Sequence, residues 1–307
     1  MMTLLRVHLK FPTGLLLFLS VVTLNAQDAG KSGMAFLKVG AGSRAGALGE
    51  AYAALADDPS AIYWNPAGLA NAAGTQLTFT YLNWLQGINH NFLAITFGGF
   101  GGTVGLGLTL QTIPDIELRD KPTPEPIGTF DSRDLALALS YGKSLSSRLR
   151  LGLTAKYLYE KLTLNSTSGV AFDAGLQWAP VAPVVLGASV QHVGKVGSLI
   201  VEEITLPALL RLGGAYVLPL KGSSSTQFSL AGEFVNYFNG GTGVNAGAEY
   251  ASTGRFALRA GYQFGRENRG LTAGVGATLG RFVVDYGYAP FSNQFDDSHR
   301  FTVSFRI

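Results

Sequence analysis

The chain has 307 residues, 14% charged and 47% hydrophobic, with a mean hydropathy of +0.23, which is apolar for a soluble protein. Removing residues 1–26 takes away Arg6 and Lys10 and no acid, leaving 21 basic against 20 acidic residues; this balance excludes an electrostatic footprint for nucleic acid. There is no cysteine, so disulfides, thiolate metal sites and a lipoprotein anchor are excluded too.

Residues 1–26 read as a cleaved secretory signal peptide: Arg6 and Lys10 precede an apolar stretch over 14–24, and Leu24-Asn25-Ala26 offers a cleavage site before Gln27. Beyond it no apolar run approaches the roughly 20 residues of a membrane helix. Residues 27–74 form a second unit. Positions 43–55 are rich in Ala and Gly without strict alternation. Asp57 and Asp58, ahead of Pro59-Ser60, predict a capped short helix. Asn65 before Pro66 predicts extended or turn backbone, and Ala67-Gly68 permits close backbone approach. The acidic pair supplies too few oxygens for calcium and reads as capping and anchoring.

From 75 to 307 the sequence alternates with period two. Strands are expected over 75–81, 91–97, 103–111, 134–141, 149–160, 169–178, 184–191, 209–218, 227–234, 244–250, 256–264, 271–279, 282–288 and 300–307. In 149–159 one face carries Leu149, Leu151, Leu153, Ala155, Tyr157 and Tyr159, and the other Arg150, Gly152, Thr154 and Lys156. A soluble sandwich also alternates, but its outward face is rich in Lys and Glu. Here the non-apolar face is mostly Gly, Ala, Ser and Thr, as in a barrel lumen. Connections after odd strands are mostly long (82–90, 112–133, 194–208, 290–299), and those after even strands mostly short. The expectation is an all-β fold: a transmembrane antiparallel β-barrel of about 14 strands, lipid-embedded in the outer membrane, with a short N-terminal helical/loop hatch and both termini periplasmic. Tyr81, Trp84, Tyr157, Tyr159, Trp178, Phe234, Tyr237, Tyr262 and Tyr288 are expected at the membrane–water girdles. Phe301, Val303, Phe305 and Ile307 alternate to the last residue, as a closing strand requires.

The candidate site residues are inward charges: Arg150, Lys156, Asp173, Arg211, Glu233, Glu249, Arg259, Asp285 and Arg306. An unpaired lumen charge is costly, so the two signs are expected to pair with each other and with the hatch; the other reading is a polar path or ligand contact. No catalytic constellation, metal site or cofactor is expected. His90, His192 and His299 share no ligand spacing, and the fragments Gly99-Phe100-Gly101 and Gly274-Val275-Gly276 do not join a strand to a helix.

Gly40-Ala41-Gly42-Ser43-Arg44-Ala45, Leu48-Gly49-Glu50-Ala51-Tyr52, Ala56-Asp57-Asp58-Pro59-Ser60 and Trp64-Asn65-Pro66-Ala67-Gly68-Leu69 together resemble the N-terminal signature of the PorV/PorQ family, relatives of the FadL-type channels. The likeness continues in Gln111-Thr112-Ile113-Pro114 and in Gly152-Leu153-Thr154-Ala155-Lys156-Tyr157. The resemblance implies a hatch-bearing barrel of 14 strands, without enzymatic activity, serving type IX secretion through contacts with secretion components or cargo proteins. The alternative it implies is a FadL-like channel for long-chain fatty acids or other hydrophobic small molecules.

Overall fold

The computed structural model describes residues 32–72, 74–199, 204–220, 226–252, 255–265, 269–292 and 296–307; the signal peptide expected over 1–26 lies outside them. Among the described residues, period-two alternation becomes fourteen antiparallel strands, each paired with its neighbours in sequence: β1 Gln76–Asn83, β2 Asn89–Gly99, β3 Gly102–Leu118, β4 Gly128–Ser144, β5 Leu149–Leu162, β6 Asn165–Trp178, β7 Val184–Val196, β8 Leu209–Pro219, β9 Thr226–Tyr237, β10 Thr242–Ser252, β11 Phe256–Phe264, β12 Leu271–Leu279, β13 Phe282–Ala289 and β14 Ser298–Arg306. β14 pairs with β1, Gln76 facing Arg306, so the barrel closes without a free edge. The same pairing puts the start of β1 and the end of β14 at one rim. Among the described residues no helix is long and apolar enough to cross a membrane; the strands do that.

Alternation decides which side chains face lipid. In β1, Leu77, Phe79 and Tyr81 are 41%, 47% and 40% exposed on the outside, while Gln76, Thr78 and Thr80 are buried on the inside. Outward aromatics pair across strands, as Phe282 does with Phe305 at 4.8 Å between ring centroids. Tyr237, expected in the girdle, has the inward parity of Glu233 and Val235. Its ring lies beneath the Lys38 ammonium, 5.3 Å away.

The expected strand bounds fail mostly on one side. β3 and β4 were read as 103–111 and 134–141, but each runs for 17 residues, leaving only 119–127 as their connection. β5, β6 and β7 are also long, at 14, 14 and 13 residues, whereas β11 to β14 have 8 or 9. The outer part of the β3–β4 ribbon carries Glu117, Asp131 and Arg133, and shifts register between Ile113 and Ile116, where Asp115 has φ 54°. Backbone pairing continues there after the apolar alternation has stopped, so periodicity could not report it. The surplus residues stand at the rim opposite the start of β1 and the end of β14.

Residues 33–72 fill the lumen. They contain two short helices, α1 (Ser43–Ala47) and α2 (Ala61–Trp64), and 3-10 turns at Ala35–Lys38 and Pro66–Asn71. Trp64, Tyr52, Leu48, Ile62 and Leu69 are almost fully buried, and pack with the inward Phe92 and Ala94 of β2. A second cluster joins Met34, Phe36 and Leu37 to Ala136, Leu158 and Ala171 of the wall.

Candidate functional site

The local chain of the inner segment follows from a few residues. Asp58 Oδ1 accepts from the Ser60 backbone N–H at 2.8 Å and from its hydroxyl at 2.5 Å, fixing the turn before α2. Asn65 is extended (φ −164°), as a residue before proline prefers, and its Oδ1 accepts from Ala67 N at 3.2 Å. Its amide donates to Ala53 O at 2.8 Å and to Leu176 O on β6 at 3.0 Å, so one side chain caps the turn and ties it to the wall. A Cβ at Gly68 would collide with the Ala56 carbonyl. Pro66 and Ala67 lie against wall glycines: a Cβ on Gly152 would run into the Pro66 carbonyl and Ala67 N, and one on Gly175 into Asn65. The lumen is narrow, and glycine on the strands is what lets a second backbone fit inside it.

The inward charges expected from the sequence form three groups. Arg44 on α1 donates to both oxygens of Glu249 at 2.8 and 2.9 Å, to Tyr52 Oη at 3.0 Å and to Asp57 at 2.5 Å. Arg259 bonds Glu249 at 2.6 Å and Asp285 at 2.6 Å. Arg211 reaches Glu233 at 2.7 Å, with both side chains fully buried, and lies 4.7 Å from the Trp64 ring. The other oxygen of Glu233 accepts from the backbone N–H groups of Tyr52 and Ala53, at 3.0 and 2.7 Å. Burial pushes the Tyr52 phenol well above its usual range despite the pull of Arg44, so it stays a donor to Asp58, 2.8 Å away.

Separately, Lys156 meets Asp173 at 2.6 Å, and Asp173 accepts from His192 N at 2.8 Å. Arg150, near the start of β5, is half-buried and belongs to none of these groups; Arg306, at the end of β14, is exposed. Asp57 and Asp58 therefore differ in role: Asp58 holds the turn ahead of α2, whose N-cap Ser60 makes no side-chain cap bond, and Asp57 takes Arg44.

Several residues holding the segment escaped the sequence reading. Gln177 donates to Ala56 O at 2.9 Å, and Gln191 donates to Tyr63 O and Trp64 O, both at 2.7 Å. Arg300 donates to Gly40 O at 2.9 Å, Thr302 accepts from Ser43 N at 2.9 Å, and Thr272 donates to Ala47 O at 2.9 Å. The available signal was inward parity: Gln177, Gln191, Thr272 and Thr302 carry it without a charge, and Arg300 shares the parity of Arg306. The anchors sit on β6, β7, β8, β9, β10, β12 and β14, spread around much of the ring. A cavity against Phe36, Leu37, Tyr63, Phe92 and Lys156 measures about 20 Å³, room for roughly one water. No trio of His, Asp or Glu among the described residues could hold a metal ion.

Residues 23–180 match the family described as Type IX secretion system protein PorV. No curated protein matches the chain in sequence. Among solved structures it resembles the Pseudomonas putida toluene transporter TodX, with TM-score 0.61, 15% identity, and coverage of 86% of this chain and 96% of that one. The Ralstonia pickettii toluene transporter TbuX gives TM-score 0.58 at 14% identity, covering 87% and 97%. A Pseudomonas aeruginosa FadL homologue gives 0.52 at 12%, covering 86% and 97%. At such identities the likeness is one of fold, that of FadL-like outer-membrane barrels. With the family matched across the inner segment and the first strands, the chain belongs to the PorV family of outer-membrane β-barrels.

Proposed function

We propose that the protein is a non-enzymatic component or accessory of type IX secretion, acting through protein contacts while its lumen stays closed. The observation that carries this reading is the seating of residues 33–72, hydrogen-bonded to strands around the ring and fitted backbone-to-backbone over wall glycines. An apolar cavity that admits benzene is on the order of 150 Å³; the cavity of about 20 Å³ here falls far short. Residues 1–26 then serve as signal peptide, 27–74 as a fixed hatch and 75–307 as barrel, with the start of β1 and the carboxyl end at the periplasmic rim and Gly33 bonded to Thr205 near the opposite one. The motif residues Asp57, Asp58 and Asn65 to Gly68, and the lumen charges from Lys156 to Asp285, act as anchors of that hatch.

Affinity capture of the tagged protein from detergent-solubilised outer membranes tests this. Recovery of secretion components or secreted cargo is the expected result; recovery of general porins and assembly factors alone overturns it. The second reading, a channel for hydrophobic solutes, is favoured by the shared fold with the toluene transporters. Slower uptake of toluene or a long-chain fatty acid in a deletion strain, restored by the gene, would support it.

A further inference from the structure

The chain beyond residue 26 is nearly neutral, with 21 basic against 20 acidic residues, but its charges are segregated. The rim where β1 starts and β14 ends consists of the turns after even strands and the outermost three residues of each strand. Its charged side chains among the described residues are Lys143, Arg148, Arg150, Arg255, Arg281 and Arg306, with no Asp or Glu beside them. Position 73 and the connections 221–225 and 253–254, outside the described residues, hold no acid in sequence either. Further in, Asp57, Glu249 and Asp285 are bound by Arg44 and Arg259. The opposite rim mixes both signs, and there Glu117 pairs with Arg119 and Asp131 with Arg133.

Three of the rim arginines stand in line, each next in sequence to a lipid-facing phenylalanine: Arg255-Phe256, Arg281-Phe282 and Phe305-Arg306. Backbone bonds hold the line. Arg255 O accepts from Thr278 N and Arg281 O from Arg306 N, both at 2.9 Å. From β11 to β14 is three interstrand spacings, roughly 14 Å. All three arginine side chains are exposed and have no ion-pair partner among the described residues. An outward aromatic belt marks the edge of the hydrocarbon layer, and the anions met just beyond it are headgroup phosphates. The planar guanidinium fork matches phosphate oxygens.

We propose that Arg255, Arg281 and Arg306 bind the phosphates of anionic phospholipid, whose acyl chains lie along Phe256, Phe282 and Phe305. The contact follows from the rim itself; the orientation proposed above decides only the leaflet, which is then the periplasmic one. A basic side chain beside an anionic membrane surface contributes about fivefold in affinity. A zwitterionic headgroup carries its own ammonium, which cancels most of that attraction.

The test is native mass spectrometry of the full mature protein in detergent micelles, titrated with phosphatidylglycerol or with phosphatidylcholine. The variants are R255Q, R281Q and R306Q, singly and combined, with Arg133→Gln at the opposite rim as control; compact migration of unheated samples on gels verifies folding. The wild type should hold phosphatidylglycerol at least about tenfold more tightly than phosphatidylcholine. Each single variant should lose about fivefold, the combined one should lose the preference, and Arg133→Gln should keep it. Equal retention of the two lipids by the wild type would overturn the proposal and leave the rim to an acidic protein surface. An undiminished preference in the combined variant would overturn it as well. Micelles expose both rims, so the result holds for either insertion of the barrel and is independent of whether secretion components are recovered.

Discussion

Replacing Glu233 with alanine should free the inner segment while leaving the barrel standing. Glu233 balances Arg211, fully buried at 2.7 Å, and accepts from two backbone N–H groups of the segment. Removing one member of a buried ion pair costs about 3–5 kcal/mol, because the other charge stays buried without compensation. Two orphaned amide donors add about 1–3 kcal/mol each, though not additively. A loss of about 4 kcal/mol raises the local opening constant by roughly three decades. The assay is limited trypsin digestion of the folded protein in micelles, at Lys38 and Arg44, both inside the lumen. When opening and closing are fast, the cleavage rate follows the open population. Glu233→Gln keeps an acceptor and should show a smaller rise. Arg211→Met combined with Glu233→Leu removes both charges but still orphans the two amide donors, and should lie between Glu233→Ala and the wild type. If Glu233→Ala is cut at the wild-type rate with an unchanged urea midpoint, the argument that this pair anchors the segment is wrong.

Gly152→Ala puts a methyl group into the Pro66 carbonyl; overpacking of this kind should cost about 1–3 kcal/mol, read as faster trypsin cleavage at Arg44. A disulfide joining Ser43→Cys to Thr302→Cys, whose hydroxyls are 2.8 Å apart, should form in a chain that has no other cysteine. Secretion should continue with the segment locked, and loss of secretion on oxidation, reversed by reductant, would show that the segment must move. Val275→Arg, in the middle of β12 on the lipid face, should cost about 2–4 kcal/mol if it lies at the bilayer midplane, measured as a lowered urea midpoint in vesicles.

How much of this was legible in sequence depended on range. Alternation is local, so the strands spanning the membrane could be read wherever an apolar face met lipid, as in Phe256–Phe264, whose bounds are those expected. Where β3 and β4 leave the apolar band, the pattern ends though the ladder does not. Asp58 and Asn65 act within two residues of themselves, and their motif announced them. Arg44 meets Glu249 across 205 positions, and Tyr52 meets Glu233 across 181. No spacing rule reaches that far; inward parity placed Glu233 and Glu249 in the lumen without saying which group would meet them.

The unequal wall has a directional consequence. At about 3.3 Å per residue, β3 and β4 run to roughly 56 Å and β13 to roughly 26 Å. The shorter strands are about what a tilted crossing of the bilayer consumes. The rim opposite the start of β1 and the end of β14 is therefore oblique, with a parapet of β3 to β7 on one side and lipid headgroups near the level of the opening on the other. A molecule diffusing in the plane of the membrane would meet a different surface on each flank. The closed barrel therefore has a front and a back.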